Sequence, residues 1–200
     1  MAKTEPGAPI RALGASMYSR HQRQPEDFYA TDPRAVRMLL ELETFDRRVW
    51  EPTCSDGAIA RVLEDAGYDV LSTDKYPRGY GQPEPFDFLT DTLAEPWPGD
   101  IITNPPYSLA EQFVYRAFEL AAPGRKVAMF LRLTFLEGRR RAKLFESCPP
   151  RRVWVASGRL KCAIDGDFSR IGNAGTVAYC WMVWEKGFRG KPELGWFNKG

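Results

Sequence analysis

Histidine is almost missing from this chain: His21 is the only one in 200 residues, and it sits in a polar stretch near the N-terminus. Histidine-based acid–base or metal chemistry is therefore not expected. The four cysteines, Cys54, Cys148, Cys162 and Cys180, are widely separated and show neither a CxxC pair nor a zinc-ligand spacing. That argues against a disulfide frame or a structural metal and for reduced thiols. No apolar run approaches the roughly 20 residues needed to span a bilayer, and the opening MAKTEPGAPIRALG lacks the apolar centre of a signal peptide. The expected setting is cytoplasmic, with no membrane partner. Charge of one sign is lacking too: a net charge of +2 is too small to imply a nucleic-acid partner by itself.

What the chain does have is apolar content, 44% hydrophobic and 13% aromatic, enough at this length to fill the core of one α/β unit. Residues 1–24, rich in Pro, Gly, Arg and Gln, read as a flexible tail, and residues 25–185 carry an alternating strand and helix pattern. Residues 186–200 read as a second tail, with Phe188, Trp196 and Phe197 as candidate anchors. Asp32 as N-cap and Pro33 at the first helical position open a helix through Val36, Leu39 and Leu40. Ile59, Val62, Leu63 and Ala66 make a second helical face closed by Gly67, and Ala110, Phe113, Val114, Ala117, Phe118 and Ala121 make a third, halted by Pro123-Gly124. Strands are expected over 48–50, 69–74, 86–89, 100–103, 127–133, 153–156 and 176–185, and a helix over 139–147.

The strand at 100–103 runs directly into Asn104, Pro105, Pro106 and Tyr107. This junction suggests methyl transfer to a planar amino group. The nitrogen of such a group is a poor nucleophile because its lone pair is delocalised, and two fixed acceptors beside it can hold its hydrogens and expose the lone pair. The Asn104 side-chain oxygen and a backbone carbonyl of the Pro-Pro step are the candidates. Proline fixes φ and removes competing N–H donors, making the step a stiff mount. Tyr107 offers a flat face for stacking, worth about 1–3 kcal/mol for a base.

Upstream, the strand at 48–50 leads into the turn-rich Glu51-Pro52-Thr53-Cys54-Ser55-Asp56-Gly57, then a helix, then a strand ending in Asp74. Strand, loop, helix, strand and terminal acid is the order of a nucleotide-binding βαβ unit. On these motifs the chain resembles S-adenosylmethionine-dependent amino-methyltransferases of the NPPY type, closest in motif order to small phage-encoded DNA adenine enzymes. The resemblance covers roughly residues 27–185. It implies a doubly wound, Rossmann-like α/β methyltransferase fold, with a mostly parallel sheet and an antiparallel strand near the C-terminus. It further implies S-adenosylmethionine as cofactor, held by the loop containing Glu51, Pro52, Asp56 and Gly57. Asp74 would bind the ribose, Asp87 would accept from the cofactor's adenine amino group, and Phe88 would pack on that adenine. The segment with Tyr29 and Thr31 resembles the element that meets the methionine end. Ser55 replaces the family's usual first glycine, and Asp32 a common proline.

By the same resemblance the favoured acceptor is N6 of adenine in DNA, with an adenine in RNA or a protein glutamine as alternatives; because the last strands use most of the roughly 90 residues after NPPY, weak sequence specificity, or recognition by a partner, is expected. A non-catalytic nucleic-acid-binding module is a further alternative, for which Ser55 is the only hint. Basic residues at Arg139, Arg140 and Arg141, and at Arg151 and Arg152, are the candidate nucleic-acid contacts. The target base would have to leave the stack to reach Tyr107, and residues 162–175 could close over it. The cell compartment would be the host cytoplasm if the protein is phage-encoded.

Overall fold

Four short apolar runs dictate the centre of the molecule, because strands buried on both faces read as continuous rather than alternating hydrophobics. The computed structural model describes residues 29–158, 160, 162–164 and 177–197. In chain order it holds β1 (Tyr29–Thr31), α1 (Pro33–Leu42), β2 (Arg48–Glu51), α2 (Ala60–Asp65) and β3 (Asp69–Ser72). There follow β4 (Asp100–Thr103), α3 (Ala110–Leu120), β5 (Lys126–Arg132), α4 (Ala142–Ser147), β6 (Arg152–Ala156), β7 (Cys162–Ile164), β8 (Tyr179–Glu185) and β9 (Glu193–Phe197). The main sheet has seven strands in the order β3-β2-β4-β5-β8-β6-β9, and β8 alone runs against its two neighbours, all other pairs being parallel. β1 and β7 pair separately as an antiparallel ribbon.

Helices cover both faces. Ala35, Val36 and Leu39 of α1 and Val62 and Leu63 of α2 pack on one side with Val49, Ile102 and Trp181, while Phe113, Val114 and Ala117 of α3 pack on the other with Trp50, Ile101 and Met129. The chain enters the main sheet at β2, steps outward to β3 and returns to β4 on the far side of β2. The order therefore reverses between β2 and β4, where ligands bind in doubly wound sheets, outside the carboxyl ends of the strands. The expected cap of α1 forms: the Asp32 carboxylate accepts from the Arg34 amide at 3.0 Å. Gly67, at φ 89°, closes α2 as expected.

Three elements differ from expectation. Residues 86–89 are not a strand, and a turn forms at 88–90, because the Asp87 carboxylate accepts from the Leu89 amide at 3.0 Å and the Asp87 carbonyl takes the amides of Thr90 and Asp91. The expected helix at 139–147 begins as a 3-10 turn, Arg139–Arg141, and only then becomes α4. The sheet does not end at Glu185: β9 adds a parallel edge to β6, with Phe197 buried while Trp196 is 52% exposed, so Phe197 is the anchor and Trp196 is not. At the amino ends of β5 and β6, buried Glu43 accepts from Lys126 Nζ at 3.0 Å, from Trp154 Nε1 at 2.9 Å and from the Arg152 guanidinium. This hub ties the loop after α1 to the two strands.

Candidate active site

Glu51 ends β2, and the chain then turns tightly through residues 52–57. Ser55 adopts φ 52°, the left-handed region that a glycine occupies at no steric cost. Serine here thus takes up the left-handed turn that glycine most readily adopts. Gly57, at φ 83°, is indispensable for a second reason: a Cβ there would lie 2.7 Å from the Tyr80 ring. The Ser55 amide donates to Asp74 Oδ2 at 2.9 Å and the Tyr76 amide to Asp74 Oδ1 at 2.8 Å. Asp74, beyond the end of β3, is thereby held 8% exposed against the loop.

Between these loops lies a cavity of about 460 Å³. Thr31, Glu51, Pro52 and Asp56 line it from the β1 and β2 side, and Asp74, Asp87 and Phe88 from the β3 side. Asn104 and Pro106 close it from the end of β4. Nine of the residues singled out from sequence are brought together there. Gly57 shapes the loop without lining the cavity, and Tyr29 contributes backbone to the β1–β7 ribbon. Phe88 is a wall rather than an open platform: it is 2% exposed, stacked on Phe113 at 5.0 Å with its ring edge-on to Trp50. Asp87 is paired with Lys75 Nζ at 2.8 Å. Burial pushes its carboxyl up, but Lys75 and the Leu89 amide together hold it below the usual range.

Glu51 is the electrostatic centre of the cavity. It is 2% exposed, and its Oε2 has no hydrogen-bond partner. Burial, with the charges of Asp56, Asp74 and Glu64 added, pushes its carboxyl well above the usual value, against only the Ala60 amide. Neighbouring Cys54 is pushed up to about 12, by burial first and then by Glu51, Asp74 and Asp56, which disfavours the thiolate that a nucleophile needs.

β4 is buried along its whole length and delivers Asn104 to the reversal point. Thr53 and Thr103 share a hydroxyl hydrogen bond of 2.5 Å, and the Thr53 hydroxyl also donates to the Asn104 carbonyl at 3.3 Å. The Pro106 carbonyl accepts from the Leu109 amide at 2.9 Å. Pro105 therefore carries the one carbonyl of this step that the described residues do not engage. Tyr107 lies outside the cavity, with the Arg132 guanidinium over its ring at 4.7 Å and the Tyr179 ring 6.1 Å away. Thr53, Thr103 and Arg132 were not singled out from sequence. Arg132 was accessible to the strand-end rule, since it closes β5; the threonine pair joins two loops and has no local signal.

The basic candidates divide. Arg139 and Arg140 are exposed on the segment that follows β5, at the same end of the sheet as Asn104. Arg141 is committed to the carbonyls of Thr134 (3.0 Å) and Glu137 (2.6 Å) and lies over Phe135, so it staples this segment. Arg151 and Arg152 are corrected outright. They sit at the amino end of β6, opposite the cavity, where Arg152 belongs to the Glu43 hub and Arg151 pairs with Glu185 and covers the Phe188 ring. Of the expected base-covering loop at 162–175, Cys162–Ile164 is strand β7, paired with β1, and residues 165–175 lie outside the described residues. Among the described residues no side-chain cluster would hold a metal ion, and no helix is long and apolar enough to cross a membrane.

Neither a protein-family model nor a curated protein sequence matches the chain. Solved structures do share its fold. A protein from Listeria monocytogenes assigned as a class I S-adenosylmethionine-dependent methyltransferase aligns with a TM-score of 0.58 at 12% identity, over 84% of this chain and 65% of that one. An assigned modification subunit of a type I restriction enzyme from Vibrio vulnificus aligns at 0.55 and 12%, over 88% and 48%. An assigned RNA methyltransferase from Pyrococcus horikoshii aligns at 0.52 and 13%, over 78% and 83%. The chain has the Rossmann-like fold of the class I methyltransferases, and it spans under two thirds of the first two proteins.

Proposed function

We propose that this protein is an S-adenosylmethionine-dependent amino-methyltransferase of the NPPY type whose acceptor is N6 of adenine in DNA. The observation that carries the reading is the single cavity at the strand-order reversal, shared by the β2 loop, the strand-end acid Asp74 and Asn104. Its volume suits a nucleoside-sized ligand. A buried carboxylate oxygen with no partner on Glu51 fits a ligand that brings cationic groups. S-adenosylmethionine, when bound, supplies an electrophilic methyl on a sulfonium.

The protein's own part is to position and to hold charge. Oδ1 of Asn104 and the Pro105 carbonyl accept the two hydrogens of the amine, drawing its nitrogen toward tetrahedral geometry and exposing the lone pair. Once methylated, the nitrogen is cationic and acidic, and its surplus proton passes to solvent, the two amide oxygens serving only as hydrogen-bond acceptors. The Thr53–Thr103 hydroxyl pair keeps the Asn104 backbone in register with the cofactor loop. The two exposed arginines beyond β5 support a polyanionic acceptor at this end of the sheet.

The test is incubation with labelled S-adenosylmethionine and mixed-sequence DNA, followed by digestion to nucleosides and mass analysis. The expected product is N6-methyladenine. Label on cytosine, or only on RNA or a protein glutamine, overturns the acceptor; no cofactor binding by calorimetry overturns the enzyme reading and favours a binding module.

A further inference from the structure

Arg132 ends β5 at the same edge of the sheet as Asn104: Met129 pairs with Thr103, and three residues on, Arg132 pairs across the ladder with Tyr179. Its guanidinium lies 4.7 Å over the Tyr107 ring, and Tyr179 in turn stacks on Phe130 at 5.2 Å. A guanidinium seated over an aromatic ring retains N–H donors with which arginine binds phosphate. Arg132 Nε is buried without a hydrogen-bond partner, and among the described residues the side chain makes no ion pair. Buried donors are ordinarily satisfied, so this one points to a ligand. Arg151 and Arg152, by contrast, spend their guanidinium groups on protein carboxylates, and Arg141, whose Nε is likewise buried without a partner, holds the carbonyls of Thr134 and Glu137 through Nη2. Downstream of Arg132 the chain leads through a 3-10 turn to exposed Arg139 and Arg140.

Resting on the amino-methyltransferase reading above, we propose that Arg132, seated on Tyr107 beside Tyr179, binds the backbone phosphate next to the nucleotide whose base is extruded toward Asn104. Tyr107 thereby carries two duties, one ring supporting both the flipped base and the cation that grips its phosphate. Stacked aromatics beside a cation are the usual means of holding an unpaired strand. Arg139 and Arg140 continue the path for the phosphates that follow.

The experiment uses a single-stranded oligonucleotide with one adenine and a matched one in which the phosphates flanking that adenine are neutral methylphosphonates. For the unaltered protein the neutral backbone is expected to raise KM roughly ten- to hundredfold, the range of one charge-assisted hydrogen bond. Arg132→Gln should show the same raised KM on the ordinary oligonucleotide and little further loss on the neutral one, with S-adenosylmethionine affinity and melting temperature held. Arg132→Lys, which keeps the charge but not the fork, should fall between. An Arg132→Gln variant as sensitive to the methylphosphonates as the parent, or with an unchanged KM, overturns the assignment alone. If Arg132→Gln does not fold, a parent protein indifferent to the methylphosphonates overturns it. Absence of any transfer by the parent to the ordinary oligonucleotide overturns the adenine reading along with it.

Discussion

Replacing Glu51 by Gln should move stability and ligand affinity in opposite directions. In the free protein the carboxyl is 2% exposed, Oε2 is unpartnered, and burial together with Asp56, Asp74 and Glu64 raises its pKa well above the ordinary 4.5. A carboxyl raised in the folded state is favourable to folding only while protonated in both states. Once the pH passes the unfolded value near 4.5, the unfolded chain ionises first and stability falls, by about 1.4 kcal/mol per pH unit, until the folded group also ionises. Gln keeps an acceptor for the Ala60 amide and removes this loss. Urea denaturation between pH 5 and pH 8 should therefore show a declining component in the parent that is missing in Glu51→Gln, and thermal melting near pH 8 should favour the variant, each 1 kcal/mol corresponding to about 2–4 °C at this size. Calorimetry should show the reverse for S-adenosylmethionine: affinity reduced by about 1.5–3 kcal/mol, the worth of a charged hydrogen bond. Binding to the parent should release a proton, seen as a heat that depends on the buffer's ionisation enthalpy. Superimposable pH profiles for parent and variant, or equal affinities, would refute the placement of a cation at Glu51.

Asn104→Ala should abolish methyl transfer while leaving cofactor affinity nearly intact, because the interaction it removes acts on the acceptor nitrogen in the transition state; full turnover in a labelled-methyl assay removes NPPY from the mechanism. Glu43→Ala leaves Lys126 and Arg152 facing a buried gap and should cost about 3–5 kcal/mol in denaturant titration. Burial pushes the Glu43 carboxyl up, but Arg152, Trp154 and Lys126 together hold it below the ordinary 4.5, so its contribution is present above that value and lost as the pH falls through the folded one. Neutralising Arg139 and Arg140 should reduce the log–log salt slope of duplex DNA binding by about 0.9 for each phosphate that is no longer neutralised. Arg141→Gln should instead lower the melting temperature, since Arg141 holds the carbonyls of Thr134 and Glu137.

Much of the site was legible because it is written in local chemistry. The buried strand before NPPY, the turn-rich loop after Trp50, the acid closing the next strand and the Asp32-Pro33 helix start each depend on neighbours a few residues away. Strand-end placement then follows from topology, since parallel strands in a doubly wound sheet turn their carboxyl ends to one side. The misreadings share the opposite character. Residues 86–89 have the composition of a strand, yet Asp87 captures the amide of Leu89 and closes a turn. β9 is an edge strand flanked by glycines and a proline, with only Phe197 of its residues buried, so it lacks the alternation that marks a half-buried strand. Arg151 and Arg152 stand at the amino end of their strand and not at its carboxyl end, which alone places them away from the cavity.

By itself the sequence determined the order of strands, loops and caps, and with it the meeting of the Glu51 loop, Asp74 and Asn104 at one edge of a sheet, since each of these is set by short-range sterics and periodicity. Only the tertiary structure decided what every charged group is committed to. Arg152 is consumed by Glu43 and Asp87 is held by Lys75, while Arg132 rests on Tyr107 with a buried donor unspent. The reason is physical: a charge is available to a ligand only when no closer partner has taken it, and those partners come from distant parts of the chain brought together by packing.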